Sequence, residues 1–288
     1  MFDDTSPFDP GTAVGDVVLQ RTRGHAACSF KQRDGKTVLD RLHQSGSFKV
    51  RMPRLDPGQP PEAVLLNTAG GLTGGDVLSF EGGVDAGCDA VFTTQASERA
   101  YRSLSGWAQV STKLTAGAAS RLAWLPQETI LFEGARLKRR FDVDLDGDAV
   151  LIAHESVIFG RAAMGEAMQH GAFSDIWRIR RDGRLIHADA LRIDGDVTRT
   201  LAHAAVLSGA TAMATILYAA NDAGDRLDAV RERISSLSPA NGIAGVSALS
   251  GRLVIRVCAP SGQLLRRMVE PVISELRDGR PLPRVWST

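Results

Sequence analysis

Apolar and polar positions alternate along most of this chain. Phe141, Val143 and Leu145 are interleaved with Asp142, Asp144 and Asp146, which puts the apolar set on one face of an extended segment. Similar short pieces cover residues 17–19, 26–30, 37–42, 47–52, 89–94, 107–114, 121–125 and 149–153, with Tyr101 in another. Turn residues separate them: Arg33-Asp34-Gly35, Gly117, Gly147-Asp148 and the breaker cluster Leu55-Asp56-Pro57-Gly58-Gln59-Pro60-Pro61. Residues 173–180 and 185–191, joined at Asp182-Gly183, read as a hairpin, and Leu253-Val254-Ile255-Arg256-Val257 as a further strand.

Helical spacing appears only late in the chain. Leu227, Val230, Ile234 and Leu237 predict a helix over 225–237 that Pro239 stops. Ser261 caps a second helix over 261–276, with the stripe Leu264, Leu265, Met268, Val272 and Leu276. Pro271 interrupts it, and Gly279 and Pro281 end it. No internal repeat is visible. The pattern predicts a mainly β fold with two α-helices near the C-terminus, a flexible N-terminus over 1–12 and one domain over 13–288.

In the middle of the β pattern, Val64-Leu65-Leu66 leads into Gly70-Gly71-Leu72-Thr73-Gly74-Gly75-Asp76. Glycine takes positive φ at little steric cost, so two Gly-Gly pairs predict a backbone that turns twice or lies close against something. A Walker loop would need Gly-Lys-Ser/Thr where Gly74, Gly75 and Asp76 stand, and a dinucleotide fingerprint would open a helix where Val77-Leu78-Ser79-Phe80 reads as a strand. The segment reads as a connection between strands.

Composition adds exclusions. The 288 residues are 43% hydrophobic and 23% charged, with a formal net charge of +1, which points to neither nucleic acid nor an anionic membrane. Lys138-Arg139-Arg140 and the group Arg178, Arg180, Arg181 read as solvated faces. The three cysteines, Cys28, Cys88 and Cys258, are far apart, which fits a reducing cytoplasm and no disulfide framework. The start, Met1-Phe2-Asp3-Asp4-Thr5, lacks the basic and apolar regions of a signal peptide. Residues 201–220 carry no acid, lysine or arginine but are alanine-rich and polar in places, so they read as buried structure broken near Ser208-Gly209.

Candidate chemistry is sparse. Asp142, Asp144, Asp146 and Gly147 match the first half of a calcium loop, but Ala153 stands where the twelfth-position glutamate belongs. His154-Glu155 opens like a zinc-protease motif, but Ile158 replaces its second histidine. His25 and Cys28 have ligand spacing without a second pair, and His43, His170, His187 and His203 stand alone. No G-x-S-x-G is present. This favours a binding or assembly protein over an enzyme.

Four blocks taken together say more. The glycine segment is followed by Thr93-Thr94-Gln95-Ala96-Ser97-Glu98-Arg99-Ala100-Tyr101-Arg102-Ser103, then Trp124-Leu125-Pro126-Gln127-Glu128-Thr129-Ile130-Leu131-Phe132, then Gly160-Arg161-Ala162-Ala163-Met164-Gly165-Glu166. In this order and spacing the set resembles the urease accessory protein family UreD, called UreH in some organisms. The likeness runs from about Val14 to the last helix. Two departures stand out: Arg99 where the family usually has lysine, and Asn67-Thr68-Ala69 where many members have His-Pro-Pro.

The resemblance implies a large irregular β-sandwich of wound strands with a pair of helices and no enzymatic activity. It implies work with UreF, the GTPase UreG and apo-urease, with UreE supplying nickel, so that the metal reaches the urease active site. It also implies no tightly bound cofactor, with nickel passed transiently through a water-filled passage. Weak, separated oxygen ligands suit that task better than a closed Cys/His site. The matching blocks supply Asp76, Glu98, Glu128, Glu166 and the nearby Glu155 as candidate path acids, alongside Arg99, Tyr101 and Arg161. The competing reading is that Asp76, Glu128 and Glu166 cap turns or pair with Arg99 and Arg161. The tail Pro281-Leu282-Pro283-Arg284-Val285-Trp286, with Trp286 foremost, is the candidate UreF surface. The alternative from another class is a small-molecule enzyme that uses the backbone of Gly70, Gly71, Gly74 and Gly75 as an anion site. A ligand-binding sandwich with an aromatic face is poorly served by 6% aromatic residues.

Overall fold

A computed structural model describes residues 20–161 and 165–287. The expected flexible segment over 1–12 and the strand at Val17-Val18-Leu19 lie outside the described residues.

The first strands, β1 (Arg23–Arg33) and β2 (Lys36–Gly46), form an antiparallel hairpin. Asp34 and Gly35 turn it with φ of 51° and 72°, the paired positive values that a two-residue hairpin turn needs. Next come β3 (Phe48–Arg51), β4 (Glu62–Asn67), β5 (Val77–Val84), β6 (Asp89–Thr94), β7 (Glu98–Ala100), β8 (Ala108–Ala116) and β9 (Arg121–Leu125). They are followed by β10 (Thr129–Leu131), β11 (Arg136–Leu145), β12 (Val150–Phe159), β13 (His170–Arg181) and β14 (Arg184–Asp196). The chain ends with α1 (Val197–Ala202), β15 (Ala212–Ala219), α2 (Leu227–Ser235), β16 (Ile243–Leu249), β17 (Arg252–Ala259) and α3 (Gly262–Leu276).

These strands make two sheets. Seven run in the order β14-β13-β11-β8-β5-β1-β2, and ten make the other, ordered β16-β17-β15-β12-β9-β6-β4-β3 with β10 beside β12 and β7 beside β10. Along the middle of the chain, apart from the short strands β7 and β10, each strand falls in the sheet opposite its predecessor. β5, β8, β11 and β13 are parallel neighbours in one sheet, and β4, β6, β9 and β12 in the other. The chain therefore winds as a solenoid. The corners stack: Cys88 N–H donates to Asp85 O, Ser120 N–H to Gly117 O and Ala149 N–H to Asp146 O, at 3.1, 3.2 and 3.0 Å. The structure thus has a repeat where the sequence showed none. The four corner positions read Asp-Ala-Gly-Cys, Gly-Ala-Ala-Ser and Asp-Gly-Asp-Ala, so no position keeps one residue in all three.

Two cores follow from two faces of the ten-stranded sheet. Between the sheets, Phe80 stacks on Trp124 at 5.8 Å and Trp124 on Phe141 at 5.9 Å, while Phe141 meets Trp177 edge-on at 4.9 Å. Each such pair adds about 0.5–1.5 kcal/mol to simple burial. On the far side, Leu265, Met268, Val269, Val272, Ile273 and Leu276 of α3 pack against β15 and β17. Ser261 Oγ accepts from Leu264 N–H and caps this helix, which continues through Pro271 because its buried stripe holds it to the sheet.

Most expected strands and both late helices are present. The differences are the short strands β7 and β10, the exposed edge strand β16 and the third helix α1. The stretch 201–220 is the end of α1, a turn with positive φ at Ser208 and Gly209, and β15. Among the described residues no helix is long and apolar enough to cross a membrane.

Candidate functional site

After β4 the glycine segment inserts Leu72 beside β7 as an extra rung. Leu72 N–H donates to Arg99 O and Tyr101 N–H to Leu72 O, both at 2.7 Å, and the Leu72 side chain is fully buried. Gly71 sits at φ 144°, and a Cβ there would lie 2.3 Å from the Tyr101 ring. A Cβ on Gly74 would lie 1.9 Å from Ser103 Oγ. The glycines exist because two backbones meet here. Gly70 and Gly75 turn the chain at φ 76° and 92°. The anion-site expectation is corrected by the same bonds. Leu72 N–H is spent on Arg99, Thr73 N–H on Asp76 Oδ2, Gly75 N–H on Trp107 O and Asp76 N–H on Thr73 O, so they do not converge on a ligand.

Gly70 and Gly71 form part of the mouth of a cavity of about 330 Å³ between the sheets. Glu98 and Arg99 of β7 and Glu155 of β12 line it, together with Asn67, Trp124, Arg139 and Asp175. The Asn67 amide donates to both Glu98 carboxylate oxygens at 3.2 Å. Burial pushes the Glu98 carboxyl up to about 7, against the opposing pull of the Asn67 and Arg99 donors. Near neutral pH this acid is therefore poised between its two protonation states.

Arg139 divides the deeper end. It is buried, and its guanidinium reaches Glu155 and Asp175, each at 2.5 Å, and Thr129 Oγ1 at 3.0 Å. The Trp124 indole N–H also donates to Glu155, at 2.9 Å. Burial works against the charge of Arg139, but the carboxylates of Asp175 and Glu155 outweigh it and hold the guanidinium charged. Burial raises the Glu155 carboxyl. The expectation that the Lys138-Arg139-Arg140 run is a solvated face is corrected here: Lys138 and Arg140 face out, whereas Arg139 shares the inner face with Leu137 and Phe141.

The other expected residues lie elsewhere. Asp76, 4% exposed, accepts from Thr22 N–H at 2.7 Å and from Thr73 N–H at 2.8 Å, which closes the glycine turn and ties it to the chain entering β1. Tyr101 donates its hydroxyl to Gly70 O at 3.2 Å and packs edge-on against Phe132. Glu128 accepts from Ser97 Oγ at 2.7 Å and faces a small pocket beneath α3. Glu166 pairs with Arg161 and accepts from Glu133 N–H at 3.1 Å, and these bonds hold its carboxyl below the usual range. Ala162, Ala163 and Met164 of that block lie outside the described residues.

Trp286 corrects a third expectation. It is 6% exposed and lies against the outer side of the ten-stranded sheet. Its indole N–H donates to Leu125 O at 3.1 Å, its ring meets His154 at 5.2 Å, and Arg266 lies 5.5 Å above it. It faces this chain's own core because sheet and helix leave an apolar slot that the tail fills. His154 is spent in the same slot, 2.6 Å from Ser156 Oγ, and burial drives its imidazole down to about 3. Its neighbour Glu155 points the other way, into the cavity, as alternation along a strand requires.

The profile of the UreD urease accessory protein family matches residues 22–287. The chain belongs to the UreD urease accessory protein family. It is 45% identical over 271 residues to the urease accessory protein UreD of Agrobacterium fabrum, covering 94% of this chain and 93% of that one. It is 47% identical over 275 residues to UreD of Rhizobium rhizogenes, covering 96% and 98%. Against UreD 1 of Brucella melitensis it is 44% identical over 279 residues, covering 95% and 97%. The UreD match spans both sheets and α3, so the cavity lies wholly within it.

Proposed function

We propose that this chain serves urease maturation as a non-catalytic scaffold, working with UreF, the GTPase UreG and apo-urease. In this reading nickel is its cargo and the inter-sheet cavity is the stretch of path the chain provides. The observation that carries it is Glu98, a half-buried carboxyl pushed toward neutrality that faces a cavity of about 330 Å³. At roughly 30 Å³ per liquid water, that space takes on the order of ten waters, enough for a hydrated divalent ion. A single carboxyl that releases its proton to water as the ion binds holds the ion weakly and lets it go when reprotonated.

Glu155 and Asp175 share the Arg139 guanidinium as their ion-pair partner, whereas Glu98 is held by the neutral Asn67 amide, so Glu98 is the cavity acid we assign to exchanging a proton for a cation. We assign Asp76, Tyr101, Arg161 and Glu166 to shaping the mouth and its surrounding loops, Arg99 to the rim, and Glu128 to bracing β7. The test is reconstituted activation with UreF, UreG and apo-urease, read as nickel per urease active site. Glu98→Gln should lower nickel loading severalfold while the complexes still assemble, and Glu166→Ala should leave it near wild type. Full loading with Glu98→Gln removes the cavity from the path.

A further inference from the structure

We propose that His25 and His43 together chelate a divalent transition-metal ion on the outer face of the seven-stranded sheet. The two lie on neighbouring strands of the opening hairpin. β1 pairs His25 with Ser45 and Ala27 with His43, so the histidines are diagonal neighbours across the ladder. Ala26, Cys28 and Phe30 fill the inner face of β1, which leaves His25 and Ala27 on the outer one. His43 is exposed beside them.

The imidazole rings stand 5.5 Å apart, centroid to centroid, tilted by 44°. With an ion about 2.0–2.1 Å from each ring nitrogen, two imidazoles on one metal place their centroids roughly 4.5–5.5 Å apart. The observed separation falls within that range. His25 is also oriented for it. Its Nδ1 lies 2.8 Å from Ser79 Oγ on β5. With the proton on Nδ1 donated to that oxygen, Nε2 keeps its lone pair for a metal, the arrangement that outer partners impose on ligating histidines. Imidazole donors suit nickel, copper and zinc. Among the described residues no group of three or more His, Cys, Asp or Glu is placed to hold an ion, so water completes the coordination and the site exchanges readily.

The site is independent of the cavity, which lies on the other side of the same sheet, and its test needs no partner protein. The full chain, carrying no histidine tag, is dialysed to equilibrium against nickel chloride and bound ions are counted. His25→Ala and His43→Ala should each remove the same single ion, and the double variant should remove no more than either alone. His170→Ala and His203→Ala, at two other exposed histidines, should remove none. Ser79→Ala should weaken binding severalfold with the count unchanged. In the unaltered chain, substoichiometric Cu²⁺ should broaden the ring proton signals of His25 and His43 together. Unchanged stoichiometry in both single variants, additive losses in the double variant, or broadening of only one ring would overturn the proposal.

Discussion

The Arg139 guanidinium, on β11, crosses the sandwich to the Glu155 carboxylate, on β12, at 2.5 Å. It joins the two sheets at the floor of the cavity, with Asp175 on its other side. Arg139→Met would leave two carboxylates buried without a cation. Breaking such a pair costs about 3–5 kcal/mol, because the stranded charges stay desolvated. The unfolding free energy should fall by that order in urea titration. Adding Glu155→Gln and Asp175→Asn to the same chain should recover much of the loss. A triple variant as unstable as Arg139→Met alone would mean that lost packing, not stranded charge, sets the cost.

Glu98 makes stability depend on pH. Its folded value is about 7 against an ordinary 4.5, so the folded chain holds this proton more tightly than the unfolded chain. The associated stability is complete below the unfolded value and is lost as pH rises through the folded one. Glu98→Gln cannot ionise and escapes that loss. It should exceed wild type by roughly 1–3 kcal/mol near pH 8, with the gap closing toward pH 4.5. Urea unfolding at several pH values checks both the sign and the window. A gap that widens on acidification would contradict a desolvated, protonatable carboxyl.

Three neighbouring glycines should respond differently to alanine. At Gly71 and Gly74 the new methyl meets the Tyr101 ring at 2.3 Å and Ser103 Oγ at 1.9 Å. At Gly70 nothing lies within 4 Å, and only the positive φ resists. Overpacking of this kind costs about 1–3 kcal/mol, so Gly71→Ala, which adds a positive φ to its clash, should be the worst of the three. Gly70→Ala should cost about 1 kcal/mol. Thermal melting of the three variants gives the ranking, and equal shifts would rule out close approach as the reason for Gly71 and Gly74.

The sequence pattern made most strands legible, because one buried face leaves an alternation that survives any topology. Arg139 was legible in principle too. Counting back by twos from Phe141 places it on the buried face with Leu137, but its charged neighbours suggested solvent. The winding was hidden for a different reason. A solenoid corner is set by its backbone bond, and Asp85, Gly117 and Asp146 begin three equivalent corners with no shared residue pattern. The cavity was the least legible, since Glu98, Glu155 and Asp175 are assembled from three strands far apart in sequence.

The C-terminal tail tests whether an apolar residue near a chain end serves the fold or a partner. Trp286 buries its ring between β12 and α3, and Gln127 fastens the tail beside it by donating from Nε2 to Val285 O at 2.8 Å. Truncating a buried tryptophan costs about 3–5 kcal/mol. Trp286→Ala should therefore lower the stability of the isolated chain by that order, with no UreF present. His154, stripped of its ring partner and opened to water, should then titrate nearer the usual histidine range than its value of about 3. Urea unfolding and histidine NMR titration of the isolated variant measure the two effects separately. A variant that unfolds like wild type, yet fails to bind UreF, would return Trp286 to the interface.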